Sequence, residues 1–266
     1  MKQEPRKPGF TLAEMLIVIA SIAVLVGIGV PAVRALYNSF ESTGGSRAVI
    51  SAALASARAI AAREQRYVGV RFQKAFNADD PLNPFAESQY MVFIIHDYEK
   101  TGYAAGFRAV RGVKPIKLPD SVGVMDRYYR AYYSDAQKSD FLKVGSDADI
   151  LFPPLSRVRD LTTFCIIFAP SGKLMRHDVK VMAAGAGDDV FNEFDRVAVQ
   201  GTAQFIQDSH PGLGLGQEVS RTGFVIYDRR AFKQAYEKGR PYSGYLQSLL
   251  PEIPINPYTG TVLWRD

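Results

Sequence analysis

The sequence predicts an α+β chain: a long N-terminal helix, half membrane-spanning and half amphipathic, packed on an antiparallel β-sheet head. Three observations carry that expectation. Phe10 to Val33 is apolar almost throughout. From Arg47 to Arg63 the apolar residues recur at helical spacing. After Tyr67 the pattern changes to short β-branched and aromatic stretches, separated by Gly, Pro, Asn and Asp as strands and turns require. A helix followed by strands is the element order of an α+β fold.

At about 1.5 Å per residue, a helix over Phe10–Val33 reaches roughly 36 Å and crosses a bilayer core. Lys2, Arg6 and Lys7 precede it. The positive-inside rule therefore keeps the N-terminus cytoplasmic and places Arg34 onward on the far side. The run is too long for the apolar core of a cleaved secretory signal. A lipoprotein anchor does not fit either, because the only cysteine is Cys165. Glu14 is the odd residue, since an acidic group costs about 2.5–3.5 kcal/mol near the centre of a membrane helix. Two readings account for it. Lying four residues past Phe10, it snorkels toward the cytoplasmic interface, or it pairs with a cation. No Lys or Arg lies between Phe10 and Val33. The cation would then come from another chain, or from a new α-amine made by cutting before Phe10 and largely protonated at neutral pH.

Gly9-Phe10-Thr11-Leu12-Ala13-Glu14, set between a polar leader and the apolar run, resembles the class III signal of type IV pilins and type II secretion pseudopilins. The resemblance implies cleavage between Gly9 and Phe10 by a prepilin peptidase, which then N-methylates Phe10. It implies that Glu14 contacts the N-terminal amine of a neighbouring subunit during assembly. Pro31 matches a helix-bending proline common in that family. It leaves the Gly27 carbonyl without its helical donor, and Gly27 and Gly29 soften the same turn. The implied division is a leader over 1–9, a transmembrane and filament-core helix over 10–33, an extracytoplasmic helix over 34–66 and a β-rich head over 67–266.

Within 34–66, Arg34–Phe40 continues the helix until Glu41-Ser-Thr-Gly-Gly-Ser interrupts it. Adjacent glycines cost about 1 kcal/mol each in a helix interior, so a break is expected at Gly44-Gly45, with Ser46 capping a restart. Ile50, Ala53, Leu54, Ala57, Ile60 and Ala61 then share one face, while Arg47, Arg58 and Glu64 lie off it. Strands are expected at Tyr67–Phe72, Tyr90–His96, Phe107–Val110, Phe164–Phe168 and Gly223–Tyr227. Weaker candidates are Val179–Met182, Val197–Val199 and a last strand at Thr261–Trp264. Asn77–Pro84 and Asn256–Gly260 read as loop and turn. Short edge elements are expected over Lys114–Val124, a short helix around Phe232–Tyr236 and another around Tyr245–Leu250. The "AR-x-x-A" helix Ala57–Arg63 followed by Tyr67–Val70, with Leu118-Pro119 and Phe168–Gly172, is similar to the H-type minor pseudopilins and their minor-pilin relatives.

The formal charge is +5, of which the leader carries +2 through Lys2, Arg6 and Lys7 against Glu4. That excess does not by itself call for nucleic acid. A lone Cys165 in an apolar strand is expected to be buried and inert, and it forms no internal disulfide. Ser171-Gly172-Lys173 lacks the other residues of a phosphate loop, and Gly212–Gly216 fails GxGxxG because Gln217 takes the last position. No HExxH, CxxC or GxSxG occurs. His96, His177 and His210 are scattered, and Asp147/Asp149 and Asp188-Asp189 lack the oxygen ligands of a calcium loop. The expectation is no enzyme, no cofactor and no metal.

The most unusual head segment is Asp126-Arg-Tyr-Tyr-Arg-Ala-Tyr-Tyr133. Its Arg127, Tyr128, Tyr129 and Arg130 suit stacking on bases and contact with phosphates, but also packing in a half-exposed strand or a subunit interface, and that second reading is favoured. The implied function is a structural minor pseudopilin or minor pilin, anchored in the inner membrane and assembled into a periplasmic or surface filament. Its implied partners are the prepilin peptidase/methyltransferase, other pilin-like subunits, the inner-membrane assembly platform and membrane lipid; nucleic acid is not expected. The alternatives are a DNA- or surface-binding minor pilin and, less favoured, a signal-anchored periplasmic domain.

Overall fold

The computed structural model describes residues 43–74, 83–132, 139–151, 155–181, 217–249 and 252–264. Gly9, Phe10, Glu14, Pro31 and the expected membrane segment lie outside them, as do Val197–Val199, Asp188-Asp189 and Gly212–Gly216. Among the described residues no helix is long and apolar enough to cross a membrane.

Helix α1 (Thr43–Glu64) leads into strands β1 (Val68–Lys74) and β2 (Gln89–His96), a one-turn helix α2 (Tyr98–Thr101), and strands β3 (Phe107–Ala109), β4 (Ile116–Lys117), β5 (Val122–Met125), β6 (Tyr128–Tyr132) and β7 (Ser139–Lys143). Helices α3 (Ala148–Leu151) and α4 (Ser156–Leu161) precede β8 (Phe164–Phe168), β9 (Leu174–Met175) and β10 (Asp178–Lys180). Then come β11 (Gln217–Val219), β12 (Gly223–Asp228), α5 (Arg229–Glu237), a 3-10 turn at Leu246–Leu249 and β13 (Ile253–Pro254). The fold is mixed α+β with antiparallel sheets.

The main sheet runs β3-β2-β1-β8-β9, with β4 also on β2, every pairing antiparallel. One face carries Val68, Val70, Phe72, Met91, Phe93, Ile95, Phe164, Ile166 and Phe168. It is covered by Ile50, Ala53, Leu54, Ala57 and Ala61 of α1. Three of those five helix residues are alanines, so the helix backbone approaches the sheet closely. Phe72 and Phe164 stack at 4.8 Å beneath it. The opposite face is also buried: Val92, Ile94, Cys165 and Ile167 pack with Phe107, Val179 and Val181. Two covered faces explain why β2 reads as a near-continuous apolar run rather than an alternation.

A third cluster gathers Met125, Val225, Tyr227, Phe232 and Leu246 with Tyr129, Val144, Ile150, Val158 and Leu161. There β12 pairs with β5 and β13, and α5 starts at an Asp228 carboxylate that accepts from the Ala231 amide at 2.8 Å. Asp97 caps α2 in the same way, and Gly102 closes it in the left-handed conformation, φ 70°.

Two expectations are corrected. The described part of α1 begins at Thr43 with Gly44 and Gly45 in its first turn, the chain before it lying outside the described residues, and Ser46 is fully buried within the helix instead of capping a restart. Thr261–Trp264 forms no strand; its ladder contact is a single bridge from Val262 to Ile255. The expected turn at Asn256–Gly260 is present, with the Gly260 amide on the Asn256 carbonyl at 2.8 Å. It returns the chain along α1. Trp264 Nε1 donates to Ser51 Oγ at 3.2 Å, the Arg47 guanidinium lies 5.3 Å over the indole, and Arg58 donates to the Thr259 carbonyl.

Gly69 sits in the middle of β1, where an added Cβ would overlap the Ile166 carbonyl oxygen and crowd Ile167. Because the β1–β8 ladder fixes that carbonyl, Gly69→Ala is expected to destabilise the chain by about 1–3 kcal/mol, read as a lowered urea midpoint.

Candidate functional site

The Arg-Tyr segment forms β6, paired with β7 in the register Tyr128↔Lys143, Tyr129↔Leu142 and Arg130↔Phe141. Strand alternation turns Tyr129 inward. It is buried in the third cluster, its hydroxyl donates to Asp149 Oδ1 at 3.1 Å, and the Arg157 guanidinium lies 3.9 Å from its ring. Both the face and the hydroxyl of Tyr129 are thus engaged within the head. Arg127 is mostly covered and faces Glu252 at 3.9 Å. Tyr128 is half-buried below the Arg221 guanidinium at 5.6 Å. The side chain of Arg130 lies outside the described residues.

Next to this ribbon, Asp126 and Arg221 form a buried ion pair. Asp126 Oδ1 accepts from the Arg127 amide at 2.7 Å. Arg221 also holds the Val219 carbonyl at 2.6 Å through Nη1 and the Cys165 carbonyl at 2.7 Å through its amide. The pair thus joins the β5–β6 corner to β8 and β11. Burial pushes the Asp126 carboxyl up to about 7, although Arg221 pulls the other way.

Asp147 and Asp149, considered above as cation ligands, instead organise backbone. Asp149 Oδ2 accepts from the Gly145 and Ser146 amides at 2.9 and 2.8 Å. Asp147 accepts from the Tyr242 and Ser243 amides and the Ser243 hydroxyl at 2.7–3.0 Å. Partial burial raises each carboxyl, but these donors outweigh it and hold both below the usual carboxylate range. Among the described residues no three of His, Cys, Asp and Glu come together to hold a metal ion.

On the face of the sheet away from α1, β1 contributes a charge that the sequence reading missed. Arg71 is fully buried and meets Glu218 of β11 at 2.8 Å. Its Nε donates to Gln73 Oε1 at 2.8 Å. The Cys165 thiol donates to the same Glu218 oxygen at 2.8 Å, and burial pushes that thiol well up, so it stays protonated. Cys165 is free and buried, as expected. The alternation of Gly69, Arg71 and Gln73 was the available signal that this face is not purely apolar.

The scattered histidines do not stay scattered. His96, at the end of β2, and His177, just before β10, lie with ring centroids 6.0 Å apart, and Tyr67 and Phe107 flank both. His210 lies outside the described residues.

No protein-family model, curated protein or solved structure matches the chain.

Removing Glu218 takes the carboxylate at 2.8 Å away from a fully buried guanidinium, so Glu218→Ala is expected to cost about 3–5 kcal/mol, while Arg71→Met with Glu218→Leu recovers most of it in the same denaturant series. The Asp126 carboxyl binds its proton more tightly in the folded chain than in the unfolded one, where its pKa is about 3.9. Its contribution to stability is therefore complete below about pH 4 and is lost as pH rises through about 7. Comparing the pH dependence of unfolding for the unaltered chain and Asp126→Asn checks this: the variant lacks that slope.

Proposed function

We propose that the chain is a structural filament subunit of the pilin type, a minor pseudopilin of a secretion pseudopilus or a minor pilin of a type IV pilus-like fibre. The observation that carries this reading is Gly9-Phe10-Thr11-Leu12-Ala13-Glu14 between a polar leader and the apolar run to Val33. A prepilin peptidase cuts between Gly9 and Phe10 and methylates Phe10. Phe10–Val33 holds the subunit in the inner membrane before assembly and lies in the filament core afterwards. There Glu14 meets the amine of a neighbouring subunit, so its desolvation is offset by an opposite charge. Pro31 bends that helix, and the assembly platform moves the subunit from lipid into the fibre.

The head is consistent with that role in architecture: α1 lays one apolar face across an antiparallel sheet. The nucleic-acid alternative loses ground at β6, where Tyr129 and Arg127 are engaged within the head. The test is the mass of the N-terminal peptide from membrane-extracted protein, made with and without the leader peptidase. A peptide beginning at N-methylated Phe10, seen only with the peptidase, is the expected result. An intact leader in the presence of active peptidase makes the chain a plain signal anchor and sinks the filament reading.

A further inference from the structure

We propose that His96 and His177 together bind one divalent transition-metal ion. The two rings come from distant parts of the chain and are set side by side by the fold. The His96 amide donates to the Tyr67 carbonyl at 2.8 Å, and the Lys180 amide donates to the Ala105 carbonyl at 2.8 Å, which holds β10 beside the β2–β3 turn. The ring planes are fixed by neighbours. Phe107, fully buried, lies 5.4 Å from His96 and 5.5 Å from His177, and Tyr67 lies 4.6 Å from His177.

Hydrogen bonding leaves one lone pair on each ring. His96 Nε2 contacts the Ala104 carbonyl oxygen at 2.8 Å, and His177 Nδ1 contacts the Asp178 carbonyl oxygen. A carbonyl only accepts, so each of these nitrogens carries the hydrogen. In a neutral ring the opposite nitrogens, His96 Nδ1 and His177 Nε2, are then unprotonated. A metal-binding histidine is usually oriented in this way, donating its other N–H to a backbone carbonyl.

Two imidazoles bonded to one ion at about 2.0–2.1 Å place their centroids roughly 5.2 Å apart at the tetrahedral angle and at most roughly 6.4 Å apart; from 6.0 Å, the rings close by under about 1 Å on a tetrahedral ion. Both rings are partly exposed, so water completes the shell. Asp97 is already committed to Arg108 at 2.6 Å and Arg66 at 3.7 Å, which makes this a two-imidazole site without a carboxylate from that neighbour. Such a donor set suits Zn2+, Cu2+ or Ni2+, and not Ca2+ or Mg2+. The site does not depend on the filament reading.

The test is Cu2+ titration of the detergent-solubilised full chain, followed by electron paramagnetic resonance. A signal coupled to two imidazole nitrogens is expected. It should survive His210→Ala, and affinity should fall by at least about tenfold in His96→Ala and in His177→Ala. Equal binding in either single variant, or loss of the signal in His210→Ala, overturns the proposal. Zn2+ added to the unmutated chain gives a check that no misfolded variant can confuse. The imidazole resonances of His96 and His177 should shift together, and a shift confined to one ring, or none, rejects the shared site.

Discussion

Burial of strand β1 on both faces is the constraint on which the rest of the head depends. One face meets the small apolar residues of α1, and dispersion and loss of water hold it there. The other face carries Arg71, which has no access to water and therefore requires an anion. Glu218 supplies it from a strand far along the chain, and the Cys165 thiol shares the same oxygen. The helix side tolerates exchange among residues of similar volume. The charged side does not, because a half-satisfied pair is worse than none. The two faces thus stabilise in different ways: the first sets how much apolar area is covered, the second fixes where β11 must lie.

What was legible in the sequence divides along the same line. The periodicity of Ile50, Ala53, Leu54, Ala57, Ile60 and Ala61 marked the covered helix face; five are buried and Ile60 is partly buried against the same cluster. The runs Tyr90–His96, Phe164–Phe168 and Gly223–Tyr227 were legible as strands because core strands are long and apolar. The short helix around Phe232–Tyr236 was legible too, and the structure adds that Asp228 caps it. Position-by-position reading fails where a distant partner decides. No local pattern shows that Ser46 is fully buried inside α1. Nor does one show that Trp264 takes a place beside Phe224 and Ser51 in preference to a ladder.

The candidate sites show the same limit. Arg and Tyr interleaved over Arg127–Arg130 are as compatible with a binding strip as with a folded ribbon. Strand alternation decides the fate of Tyr129, and β7, which completes the ribbon, lacks the apolar alternation that marks a strand. His96 and His177 carry no spacing signal, since the end of β2 and the start of β10, which belong to different sheets, bring them together. The motif around Gly9, Phe10 and Glu14 is the opposite case: its meaning lies in short-range order along the chain.

The fastening of α1 by the last turn of the chain has a kinetic consequence. Ser51 and Trp264 are 213 residues apart in sequence, and Arg58 reaches Thr259 across 201. A chain made from its N-terminus presents α1 early and receives these latches late. Until then part of the helix flank has no cover from its own chain, and contacts this non-local form slowly. In that interval the flank is open to intermolecular contact that the finished head closes off.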